Sequence, residues 1–198
     1  MRKLIAIIIL IGLGVTLYFY IGKKLENNDK ETGTNGLIEE MIIPQAKDNY
    51  DGLLKKVRKL QENPDQLAEF NCMITKLMYT GKQSNEEIAL LLKLQREYYS
   101  EETLNNNPED VNLERLLEEL EKYKTANYTI MGYKVIGPQF VDAEAGKKPV
   151  LIFNVIYYMN VTTKDLGEVY KGYVYEQNAE KLWELKGFGS IEDFSIIN

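Results

Sequence analysis

Tyrosine is the chemistry-bearing residue this chain holds in excess: fourteen among 198 residues, beside one tryptophan, one cysteine and no histidine. Tyr157, Tyr173, Tyr175 and Trp183 stand in the alternating apolar pattern of the C-terminal third, where side chains at every second position share one face of a strand. If that face closes over a pocket, these four are the candidate ligand-wall residues. A phenol beside a carboxylate of raised pKa can move a proton in such a place. The acids nearest in sequence, Glu168, Glu176 and Glu184, occupy the opposite parity and read as solvent-facing. No catalytic residue is therefore assigned, and the simpler expectation is that the rings pack the sheet with their hydroxyls at its rim.

The missing histidine removes Ser/His/Asp and Cys/His nucleophiles, imidazole metal sites and histidine pH switches. Cys72 sits in an apolar helical pattern and reads as a small buried hydrophobe, and a single cysteine makes no internal disulfide. Asp142-Ala143-Glu144 offers too few oxygens at fixed spacing for a calcium loop, so no metal and no cofactor is expected. Glu114, Glu118, Glu119 and Glu121 form a charge run that solvation explains. Net charge is -6; residues 1–25 carry four cations and no acid, so residues 26–198 hold a net -10. A body that acidic repels phosphate backbones, which argues against nucleic-acid partners.

The elements that must position the rings follow from periodicity. Residues 37–43 form a short apolar-acidic piece stopped by Pro44, and residues 46–61 predict a helix carrying Leu53, Leu54, Val57 and Leu60 on one side. Asn63-Pro64 breaks it. Leu67, Phe70, Ile74, Leu77 and Met78 then repeat at helical spacing up to Gly81. Ser84 and Glu87 have the spacing of a capping box for a helix bearing Ile88, Leu91, Leu92 and Gln95. Asn107 and Pro108 read as cap and first position of a further helix, whose Leu113, Leu116, Leu117 and Leu120 make a core stripe. After Thr125 the period becomes two. Strands are expected over 128–136, ended by Gly137-Pro138, then over 150–161 with the odd face the drier, 168–176 and 182–188, the last two joined by a turn at 177–180. The expected fold is α+β: about three clear helices packed on a curved antiparallel sheet of about four strands.

Residues 4–21 carry no charge, and eighteen residues at about 1.5 Å each reach roughly 27 Å, close to a bilayer's hydrocarbon thickness. The run ends in Tyr18-Phe19-Tyr20 and Lys23-Lys24 with no small-residue cleavage site, as in a retained span rather than a removed signal. The expected organisation is a transmembrane anchor over 1–25, a flexible tether over 26–36 and one domain over 37–198. The N-terminus is expected on the cytoplasmic side and the domain outside the cell membrane.

The stretches NNPED at 106–110, EKYKTANYTIMGYKVI at 121–136 and LWELKGF at 182–188 resemble an uncharacterised family of single-span proteins from Gram-positive gut bacteria, over residues 67–188. That resemblance implies location and order of elements, with no catalytic residues. Helices followed by four strands, the last bearing a tryptophan, also resemble the cone fold of nuclear transport factor 2 and ketosteroid isomerase, which hosts enzymes and binding modules alike. The expected function is a membrane-anchored extracytoplasmic binding or assembly module, non-catalytic, with envelope proteins or a second copy as partners. The alternative is a small-molecule enzyme using a tyrosine/carboxylate pocket.

Overall fold

A computed structural model describes residues 37–141, 148–160 and 166–190. The expected span and tether lie outside the described residues, as does the Asp142-Ala143-Glu144 loop. Within them, no helix is long and apolar enough to cross a membrane. The architecture is α+β, with six helices where the periodicity suggested three.

Helices α1 (Glu39–Asp48) and α2 (Tyr50–Leu60) open the domain. Pro44 does not stop α1 but lies inside it. A proline there loses its own amide bond to the carbonyl four residues back and crowds that carbonyl, but Ile42 and Ala46, spaced by four, bury against the core on either side of it. The break falls instead at Asn49. Its side chain accepts from the Gly52 amide, and a β-carbon at Gly52 would stand 2.4 Å from Asn49 Nδ2. Only glycine leaves that cap room.

Helix α3 (Pro64–Met78) is the centre of the helical layer, with Leu67, Phe70 and Ile74 fully covered. Asn63 caps it by accepting from the Asp65 and Gln66 amides, and Pro64 fits the first turn, where no amide partner is needed. Helix α4 (Asn85–Arg96) starts in the expected box: Glu87 N–H donates to Ser84 Oγ, and Ser84 N–H donates to the Glu87 carboxylate. Two features depart from expectation downstream. A short α5 (Glu101–Asn106), capped by Ser100, intervenes, and α6 (Glu109–Thr125) begins with Pro108 as its cap, because Asn107 closes α5. The α6 stripe is core only in part: no residue of α6 is fully buried, and of the half-covered Leu113, Leu116, Leu117 and Leu120 the first two pack against the core.

Strands β1 (Thr129–Val141), β2 (Val150–Asn160), β3 (Leu166–Gln177) and β4 (Trp183–Ser190) form an antiparallel sheet in chain order. On β2 the odd face, Leu151 to Met159, is buried in the core throughout. The expected end of β1 at Gly137-Pro138 is a bulge instead, between Ile136 and Gln139, and the strand continues to Val141. β1 is an edge, so the proline's missing donor costs no ladder bond. β4 is the other edge, and it is covered. Trp183 N–H donates to Gln61 O, Leu185 N–H to Tyr98 O, and Thr103 Oγ1 to the carbonyls of Leu185 and Lys186. That edge has few free groups left to template another strand.

Candidate functional site

The helix-facing side of the sheet carries its residues in rungs. Phe153 pairs with Tyr173, Val155 with Lys171 and Tyr157 with Val169. The rings of Tyr157 and Tyr173 thus flank the Val155–Lys171 rung, and their hydroxyls meet at 2.9 Å. A second sheet feature completes the surface. The ladder slips between Val174 and Tyr175, so that Tyr175 faces Leu185 but Tyr173 faces Phe188, with Lys186 the extra residue. That bulge turns Phe188, at even parity, to the same side as Leu185.

Over this surface lies a cleft of about 200 Å³. Its floor is Tyr157, Met159, Val169, Lys171, Tyr173 and Phe188; α3 adds Thr75, Met78 and Tyr79, α4 adds Leu92 and Gln95, and α6 closes it with Asn112, Arg115, Leu116, Glu119 and Tyr123. The edge-on rings of Tyr79 and Tyr123, 5.0 Å between centroids, separate it from a more polar cavity of about 390 Å³ under Leu117 and Leu120. Helix α6 sits across both, which explains why its leucines are only half-covered.

Behind the α3–α4 wall a polar network fixes the geometry. Fully buried Asn71 accepts at Oδ1 from Gln95 Nε2 (2.9 Å) and from the Tyr98 hydroxyl (3.0 Å). Gln95 Nε2 also donates to Thr75 Oγ1 at 3.3 Å. Such bonds are costly to break inside a core, so this wall is stiff.

Of the four expected wall residues, Tyr157 and Tyr173 line the cleft and are held together. Tyr175 and Trp183 do not. Tyr175 is fully buried edge-on to Phe153, and Trp183 is spent on the β4 edge against Gln61. Burial raises the phenols of Tyr157 and Tyr173, with Cys72 close by adding to the effect. Tyr79 is raised by burial too, and then by the Glu119 carboxylate beside it. These hydroxyls therefore stay protonated at neutral pH and act as hydrogen-bond donors, not bases. Burial likewise raises the Cys72 thiol, which keeps it from being a nucleophile.

Sequence reasoning missed Lys171, Arg115 and Asn112, and read Glu119 only as part of a solvated charge run. The signal existed: Lys171 has the parity of Tyr173, and 112, 115 or 116, 119 and 123 repeat at helical spacing. Among the described residues, no group of three or more metal-ligating side chains comes together. The cleft can bury a small apolar body and hold a polar end.

A family described as "Domain of unknown function (DUF6715)" matches residues 1–188. No curated protein matches the chain. Among solved structures, the intermembrane space region of the chloroplast protein ARC6 aligns over 62% of this chain and 89% of that chain, with 7% identity and a TM-score of 0.32. A likeness so shallow carries no argument, and the expected likeness to the nuclear transport factor 2 cone is not confirmed by it.

Proposed function

Since the chain belongs to this family of unknown function, we propose its role from the cleft: a non-catalytic binding module that takes a small ligand between α6 and the sheet. The observation that carries this reading is the cleft's construction, a rigid floor and wall closed by a helix with no fully buried residue. Such a helix can lift at little cost, as lids drawn from the less stable parts of a fold do. The acid on the wall, Glu119, is exposed. That supports binding over proton transfer by a phenol/carboxylate pair. The uncharged run at 4–21 and the lysines after it support a single membrane span with the module outside the cell. A cone-shaped fold, with the cleft as its mouth, is consistent with helices on one face of the sheet.

The assembly reading comes second, favoured by one observation. Among the described residues β1 is the less covered edge: Ile130 N–H donates to Tyr79 O, but Met131, Ile136 and Phe140 are displayed, the last 77% exposed. Its two irregularities and Pro138 blunt it for strand addition. Oligomers after crosslinking in membranes would favour that reading.

The test of the binding reading is a fragment screen by saturation-transfer NMR on the full chain in lipid nanodiscs, with Leu116→Trp as a blocked-cleft control. Hits lost in the variant support the proposal. An absence of hits, or hits that persist in Leu116→Trp, removes it.

A further inference from the structure

The occupant's chemistry can be read from what the cleft leaves unpaired, an inference that rests on the binding reading above. Inward positions of β3 belong to the core: Tyr173 and Tyr175 are buried there and Val169 packs against it. Lys171 shares that row, on the rung between the two hydroxyl-bonded phenols. Its side chain is half-buried, and no carboxylate lies within ion-pair distance of it among the described residues. Lys171 lines the cleft with no counter-charge beside it, so its ammonium is available to an anion that enters there.

Two further donors line the same space. Arg115, exposed on α6 at the rim, also has no ion pair among the described residues. Asn112, three residues before it, buries its Nδ2 with no acceptor. Buried donors without partners are uncommon and call for an explanation. Against these stands one acid, Glu119, exposed and beside Tyr79. The local excess is therefore positive in a chain of net charge -6. The rest of the wall is largely apolar and aromatic.

We propose that the cleft binds a small aromatic carboxylate, its anionic end received by Lys171, Arg115 and Asn112 and its ring held among Tyr79, Tyr157, Tyr173 and Phe188. The guanidinium fork suits a carboxylate's two oxygens. Edge-on contacts with tyrosine rings suit an aromatic body. The volume of about 200 Å³, roughly the space of seven waters, limits that body to a single ring.

The experiment measures dissociation constants of phenylpropionate, phenylpropanol and phenylpropylamine for the full chain in lipid nanodiscs, by NMR titration. These probes share one body and differ in charge. The acid is expected to bind at least about tenfold more tightly than the alcohol, the typical worth of a charge-assisted bond, and the amine more weakly than either. Lys171→Gln and, separately, Arg115→Gln should narrow the gap between acid and alcohol while the alcohol binds as before, which shows the cleft still folded. Equal binding of acid and alcohol by the native chain overturns the carboxylate assignment and leaves the binding reading standing. Failure of all three probes overturns the assignment, and failure of the wider fragment screen as well removes the binding reading. An acid preference that survives both substitutions overturns the assignment also.

Discussion

Replacing Tyr173 by phenylalanine deletes a single oxygen from the floor of the cleft and keeps the ring against Phe188. The lost bond, 2.9 Å to the Tyr157 hydroxyl and buried, contributes about 0.5–1.5 kcal/mol net as a neutral pair. The variant costs more than that. The Tyr157 hydroxyl is left almost buried at the cleft floor with the Cys72 sulfur beside it, a weak partner. An orphaned buried hydroxyl adds to the loss, so Tyr173→Phe should cost about 2 kcal/mol. Tyr157→Phe is milder, because Thr75 stands near the Tyr173 hydroxyl as an alternative partner, and about 1 kcal/mol is expected. In the double variant neither hydroxyl remains to be orphaned, and both rings keep their shape and their neighbours Tyr133 and Phe188. Its cost should be about 1 kcal/mol, well short of the sum of the singles. Urea unfolding of the full chain reads this directly, since Trp183 is the sole tryptophan and 8% exposed. Single-variant costs that add, within about 0.4 kcal/mol, would refute the orphaned-hydroxyl argument. So would a larger loss for Tyr157→Phe than for Tyr173→Phe.

The remaining expectations concern the lid and alkaline pH. Leu91 is fully covered on α4, and its truncation to alanine should cost about 2–5 kcal/mol. Leu117 on α6 is half-covered beside a cavity, so the same change should cost about 1 kcal/mol in urea unfolding; equal costs would mean that α6 is no lid. The phenols of Tyr98, Tyr157 and Tyr175 are all raised well above 10.0, by burial first. Above the ordinary phenol value the folded chain therefore holds protons that the unfolded chain sheds. Their stabilisation is complete below that value and is lost as pH rises through the folded values. The part of the tyrosinate absorbance that comes from these buried rings should consequently appear in step with the loss of the buried Trp183 fluorescence; full tyrosine ionisation with that fluorescence unchanged would contradict it.

Much of the architecture is legible in the chain alone, wherever a residue's neighbours in sequence are also its partners. The Ser84–Glu87 box closes within one turn. The α3 stripe and the dry odd face of β2 state which side of each element is apolar. Asn178 organises its own turn by accepting from the amides of Glu180 and Leu182. Helices first, then a run of strands, followed from those local periods.

What lay beyond the chain's local pattern was which apolar side meets which. Pro44 looked like a stop because propensity favours it, but burial of Ile42 and Ala46 outweighs one missing hydrogen bond. Tyr157, Tyr173, Tyr175 and Trp183 all carry an inward-facing pattern, yet only the first two share the cleft. Tyr175 meets Phe153 by packing, and Trp183 is taken by a residue at position 61. Phe188 faces the cleft because one extra residue, Lys186, shifts the β4 ladder, and a shift of one residue exchanges the faces of everything after it. Period and capping depend on contacts a few residues apart, so sequence alone determines them. Register, bulges and the fit of a helix over a sheet depend on contacts between residues well apart in the chain, up to 122 positions for Gln61 and Trp183, and only the folded chain decides those.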